Sequence, residues 1–221
     1  MTAADPRRGA KPRDYPWTVL AVDPVAFPLT GYLARTRRLT PDGVTWVSFG
    51  LGVLSGPAYA LGAWPGLVLG GLLFYLSFVA DCVDGKLARM LQAGSEKGKM
   101  LEDAADGARR LSASLGLIAY LWRSDGGPAA IGAAISFALA MSYFTQIWGG
   151  GGSGRATGEP RGRIDRALAR HRLLPTLGVP DVSAIVFVLG PMTNLVVPAL
   201  VVGLVLVLGA IARVLVRLAK G

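Results

Sequence analysis

From Val44 to Ala80 the chain runs without a single charged side chain, and it does so again from Val182 to Ala212. Leu111–Trp122 and Gly126–Trp148 are two further uncharged runs. In lipid such a run needs only to be helical, because a helix satisfies its own backbone and about 20 apolar residues cross the hydrocarbon. Composition points the same way: 17% of the residues are charged, against about a quarter in a soluble domain. The chain is expected to be an all-α integral membrane protein.

Turn signals divide the runs. Ala63-Trp64-Pro65-Gly66 splits the first into helices over about 44–60 and 65–83. A third helix starts near Leu101 and runs to about Trp122, and a fourth covers about 127–148. Gly190-Pro191 splits the last run into a short fifth helix, about 180–190, and a sixth, about 193–217. Residues 23–39 read as an N-terminal interfacial amphipathic helix, with Val25, Phe27, Leu29, Tyr32 and Leu33 apolar and Arg35, Arg37 and Arg38 at its end. Residues 1–16 are expected to be a disordered tail, leaving 17–218 as one membrane domain of six transmembrane helices. The polar stretch from Met1 to Asp14 does not read as a secretory signal.

Charge tests that count. With both termini on one side, 22 of the 23 Lys and Arg residues fall in the tail, the second-to-third connection, the fourth-to-fifth loop and the C-terminus; only Arg123 falls on the other side. Basic residues mark cytoplasmic segments, so the protein is expected to sit multi-pass in the cell membrane. The net charge of +9 is then topology and attraction to anionic lipid, not a nucleic-acid footprint. Trp17, Trp46, Trp64, Trp122 and Trp148 mostly fall near span ends, as an aromatic belt does. Gly149–Gly154 is glycine-rich but lacks a following Gly-Lys-Ser/Thr, so it reads as a hinge rather than a phosphate loop. Cys82 is the only cysteine, which excludes an internal disulfide.

The polar chemistry gathers at the inner ends of the second and third helices. Asp81 and Asp84 are three apart and Glu102 and Asp106 four apart, so each pair shares a helix face. Carboxylates at a membrane margin are costly unless something positive compensates them. An oxygen-only ligand set suits a hard cation such as Mg²⁺. Two such ions can clamp a diphosphate and stabilise its leaving phosphate, and a carboxylate left partly free can take a proton from an attacking hydroxyl. Gly85 and Ala88 leave room one turn on, and Arg89 suits a phosphate oxygen.

The pattern Asp81-x2-Asp84-Gly85-x2-Ala88-Arg89-x8-Gly98-x3-Glu102-x3-Asp106 resembles the signature of the CDP-alcohol phosphotransferase (CDP-alcohol phosphatidyltransferase) family. The similarity extends over about Pro24 to Leu218, including the Thr40-Pro41-Asp42-Gly43-Val44-Thr45 entry to the first span. The resemblance implies metal-dependent transfer of a phosphoryl-alcohol, typically phosphatidyl, group from a CDP-linked donor to a hydroxyl acceptor, with release of CMP, in phospholipid biosynthesis. It implies Asp81, Asp84, Glu102 and Asp106 as ligands of a two-metal Mg²⁺ or Mn²⁺ site, with Asp106 also the catalytic base. Asp81, Asp84, Gly85, Ala88, Arg89 and Gly98 would form the nucleotide site. Arg155, Arg161 and Arg163 are candidates for the phosphate of a phosphorylated polyol acceptor. A homodimer within membrane lipid, with the site facing the cytoplasm, is the implied setting.

One position departs: the family's third acid is Asp, and here it is Glu102. Asp103 does not restore the spacing, because it points about 100° away around the helix. The departure leaves a relative that binds CDP-lipid or nucleotide without turnover as the alternative. A small transporter or channel is a third reading, but no charge lies mid-span, where a path would need one. Glu102→Asp is expected to retain or raise CMP release from a CDP-linked donor; loss of activity would show a site built to a different geometry.

Overall fold

The structure is a computed structural model that describes residues 9–148 and 162–219. Every regular element among the described residues is helical. A π-helical turn, Thr18–Val22, leads into α1 (Asp23–Thr36). Next come α2 (Pro41–Tyr59), α3 (Trp64–Leu91), α4 (Glu96–Arg123) and α5 (Gly127–Trp148). A short α6 (Arg163–Arg170) precedes α7 (Val179–Met192) and α8 (Val196–Leu218).

Local chemistry explains the ends that lie where expected and those that do not. Thr40 accepts the Gly43 N–H at 3.1 Å, and Pro41 takes the first position of α2, where its missing N–H costs nothing. α4 begins a turn before Leu101 because Ser95 caps it, accepting the Gly98 N–H at 2.9 Å. α3 continues past 83 to Leu91, where Gln92 turns left-handed at φ 52°. Its extra turns still have partners: Leu87 is fully buried and Lys86 pairs with Asp23 of α1 at 2.9 Å.

The break expected at Gly190-Pro191 falls instead at residues 193–195, beyond the end of α7. Pro191 cannot donate to the Phe187 carbonyl one turn earlier. The Tyr59 hydroxyl of α2 donates to that carbonyl instead. A π-helical turn over Ile185–Leu189 takes up the local misfit, and the chain stays helical through the proline.

Three helices are long and apolar enough to cross a membrane: α3, α5 and α8, with mean hydropathies of 1.9, 1.4 and 2.7 over their best windows. α2 and α4, of 19 and 28 residues, have the length but carry more polar groups, and α7 is shorter. On α1, Val25, Leu29 and Tyr32 are exposed, whereas Ala26, Thr30 and Leu33 are buried. The buried side belongs to a cluster with Val79, Ala80, Val83 and Leu87 of α3.

α2 braces the bundle by packing against both α3 and α4. Small residues allow the approach, as they do where membrane helices cross closely. A Cβ on Gly56 would lie 2.3 Å from the Ser112 carbonyl oxygen, and one on Gly116 would lie 2.3 Å from the Gly56 carbonyl oxygen. Gly52, one turn before Gly56, faces Arg109 and Ser77. On the other side of α2, the Tyr59 ring lies where a Cβ on Gly70 of α3 would be. Gly56→Val is expected to destabilise the protein by about 3 kcal/mol, the upper range for overpacking. Gly50→Ala, which meets nothing within 4 Å, serves as the control. Thermal denaturation in detergent measures both, and equal melting temperatures would contradict the crossing.

Candidate functional site

α3 and α4 present their carboxylates toward one another near the connection that joins them. One carboxylate oxygen from each of Asp81, Asp84 and Glu102 lies within 4.8 Å of the other two. Asp84 is buried, Asp81 is largely buried and Glu102 is exposed. Asp81 Oδ1 and Asp84 Oδ2 are buried and have no hydrogen-bond partner among the described residues. Buried acceptors are seldom left so, because the lost hydration costs about 1–3 kcal/mol or more for each. Three hard oxygen donors converge from two helices, and two of the three residues each keep an unsatisfied buried oxygen; the set fits a hard divalent cation. Glu102 reaches the group despite standing where the signature has Asp.

Asp106, the fourth expected ligand, is not part of this trio. It is held by two arginines of its own helix: Arg109 pairs with Oδ1, and Arg110 lies 3.3 Å from Oδ2. Arg109, one of the basic residues of the second-to-third connection, is buried and lies 3.9 Å from Asp81 as well. The legible signal was its spacing, three residues beyond Asp106 and so on the same face.

Two cavities meet at the carboxylates. The larger, of about 620 Å³, is lined by Asp42 and Thr45 of α2, Asp84, Gly85, Ala88 and Arg89 of α3, and Gly98 and Glu102 of α4. All the residues expected to form a nucleotide site, except Asp81, line it. A Cβ on Gly98 would stand 3.1 Å from Asp42 Oδ1, and one on Gly85 would stand 3.4 Å from an Arg89 guanidinium nitrogen. The smaller cavity, of about 300 Å³, is bounded by Asp81, Asp106, Arg109, Arg110 and Lys11, among others. Glu102 lines both.

The cations of the smaller cavity differ from those expected. Arg163 is exposed at the start of α6 and lines neither cavity, while Arg155 and Arg161 lie outside the described residues. Lys11 arrives because residues 9–16, from the segment expected to be a disordered tail, make specific contacts. The Gly9 carbonyl accepts Arg89 Nε at 2.7 Å, and Lys11 O accepts Arg172 Nη2 at 3.0 Å. Asp14 exchanges backbone hydrogen bonds with Arg172 and Leu174 at 2.8 and 2.9 Å. Asp181 ties in the same segment: Oδ1 accepts the Trp17 N–H and Oδ2 the Gly178 N–H, both at 2.8 Å. Both of its oxygens are thereby used by backbone at the head of α7, in keeping with a cap. Buried Asp23 completes the strap, pairing with Lys86 and Arg172 at 2.9 Å each. Pairings between residues so far apart in the chain have no local sequence signal.

The family model for CDP-alcohol phosphatidyltransferase matches residues 38–149, half of the chain, and the protein belongs to that family. The matched region holds α2 to α5 and with them the acidic trio, Asp106 and the whole lining of the larger cavity. No curated protein matches the chain. The family is one of transferases that move a phosphoalcohol group from a CDP-alcohol to an alcohol, and its members are typically metal-dependent.

Unsatisfied carboxylates make a stability test possible without turnover. Added Mg²⁺ or Mn²⁺ at about 100 times its Kd is expected to stabilise the wild-type protein by about 2.7 kcal/mol. In EDTA, Asp84→Asn is expected to melt at least as high as wild type, because it removes a buried unpaired charge. It should gain nothing from the metal. A metal-induced rise in Asp84→Asn equal to that of wild type would show that the ion binds elsewhere.

Proposed function

We propose that the protein transfers a phosphatidyl or related phosphoryl-alcohol group from a CDP-linked donor to a small hydroxyl or phosphorylated polyol acceptor, releasing CMP. The observation that carries this reading is the acidic trio between two cavities, with Asp84 on the larger, Asp81 on the smaller and Glu102 on both. The cytidine diphosphate of the donor occupies the larger cavity, where Gly85, Ala88 and Gly98 leave space and Arg89 meets a phosphate. The acceptor hydroxyl enters the smaller one beside Asp106.

Asp81, Asp84 and Glu102 hold the divalent ions, with Mg²⁺ or Mn²⁺ the ions of choice for oxygen ligands. A divalent ion held there would supply charge neutralisation of the diphosphate and of the leaving phosphate. The acceptor oxygen bonds to the phosphorus that carries the alcohol group, the bond from that phosphorus to the bridging oxygen of CMP breaks, and Asp106 takes the hydroxyl proton. Lys11 and Arg110 offer positive charge to an anionic acceptor. In this reading α2, α3, α4, α5, α7 and α8 are the six spans, α1 lies at the interface with Val25, Leu29 and Tyr32 toward lipid, and the site opens to the cytoplasm. A homodimer in the cell membrane serving phospholipid synthesis is part of the same proposal.

The test is CMP release by the purified protein from CDP-diacylglycerol across a panel of polyols and their phosphates. Release is expected to require Mg²⁺ or Mn²⁺ and to fall by about 100-fold or more in Asp106→Asn, the range for loss of a general base. Metal-dependent binding of CDP with no release for any acceptor would contradict turnover and leave the nucleotide-binding alternative. Full activity in Asp106→Asn would remove the residue from the chemistry.

A further inference from the structure

Arg109 is placed with more care than an orienting charge requires. It is 3% exposed, and its guanidinium carbon sits 5.6 Å and 5.2 Å from the ring centres of Phe74 and Phe78. Nη2 meets Asp106 and Nη1 donates to Ser77 Oγ at 3.2 Å. Ser77 is itself fixed, since its hydroxyl donates to the Ser48 carbonyl at 2.7 Å and the Ser48 hydroxyl donates back to the Ser77 carbonyl at 2.9 Å. That leaves a lone pair of Ser77 Oγ facing the arginine. Gly52 makes the room: a Cβ there would stand 2.8 Å from both Arg109 Cβ and Ser77 Oγ. Nε alone is buried without a partner, so the seat is built around the charge rather than around full hydrogen bonding.

This charge stands among acids of two kinds. Asp106 is bound to it directly, and Asp81, whose other contacts leave one oxygen unsatisfied, is 3.9 Å away. A fixed guanidinium beside the trio repels a divalent ion that the trio attracts. The same guanidinium pairs with Asp106, which lines the smaller cavity.

We propose that Arg109 is a positioning residue of this site, a resident counter-ion that holds Asp106 at the acceptor side while its charge weakens metal binding by Asp81, Asp84 and Glu102. The proposal rests on the reaction inferred above, but its main readout does not. Mn²⁺ binding to the purified, donor-free protein is followed by electron paramagnetic resonance, beside steady-state CMP release. Arg109→Gln is expected to bind Mn²⁺ on the order of tenfold more tightly, since one positive charge a few ångströms from the ion is gone. In the same variant kcat falls by roughly 100-fold, the scale of a misplaced catalytic group. Its KM for the CDP-linked donor stays within about threefold, because Arg109 does not line the larger cavity. Arg109→Lys, which keeps the charge, is expected to bind Mn²⁺ as wild type does and to recover kcat only to about tenfold below wild type.

Tighter metal with slower turnover is the signature that structural damage does not produce. Unchanged or weaker Mn²⁺ binding in folded Arg109→Gln overturns the proposal. Should Arg109→Gln fail to fold, Arg109→Lys and Ser77→Ala decide: both are expected to keep Mn²⁺ affinity and donor KM while losing kcat by about tenfold. Wild-type kcat in both variants overturns the proposal. A wild-type protein that binds Mn²⁺ but releases no CMP contradicts the reaction, and the Mn²⁺ comparison still decides what the Arg109 charge does.

Discussion

Two carboxylate oxygens, Asp81 Oδ1 and Asp84 Oδ2, are buried with no protein group to satisfy them among the described residues. Leaving such acceptors unsatisfied carries a standing penalty, which a bound cation would relieve. The surroundings are consistent with that requirement. Glu102 adds a third oxygen from the neighbouring helix, the cavities meet at the trio, and the nearest fixed cation, Arg109, is committed to Asp106. The trio is therefore suited to take up a divalent cation from solution.

Holding it open depends on the close packing around α2. Carboxylates repel one another, so α3 and α4 will not gather them unaided. α2 packs against both, and the Gly52 and Gly56 face lets α4 approach at Arg109, Ser112 and Gly116. The crossing that brings the Asp106 helix near is thus the one that seats Arg109 against Ser77. At the other end of α2, Tyr59 takes up the carbonyl that Pro191 leaves free on α7, so one helix braces the acidic end and steadies a proline-containing helix further along.

Much of this was legible in the sequence because it is local. The uncharged runs mark α2 to α5, α7 and α8, with most of their ends placed to within a turn or two, since an apolar helix is recognisable from its own residues. The trio was legible because the i, i+3 spacing of Asp81 and Asp84 and the matched glycines are short-range patterns. What was not legible is long-range. Lys86, Asp23 and Arg172 become one network only after α1, α3 and the α6–α7 connection meet, and the contacts that bring Lys11 to the smaller cavity link residues far apart in the chain. Arg109 is an intermediate case: its spacing from Asp106 was readable, but its burial between Phe74 and Phe78 was not. The early placement of the fifth break shows the same limit, because Gly-Pro is a sound local stop signal and the hydroxyl that overrides it comes from residue 59.

The most direct measurement is anomalous diffraction from crystals of the protein grown with Mn²⁺. A peak with oxygens of Asp81, Asp84 and Glu102 at about 2.2 Å, while Asp106 remains on Arg109, is the predicted result. A map in which these three carboxylates point apart, or in which the manganese lies away from them, would contradict it.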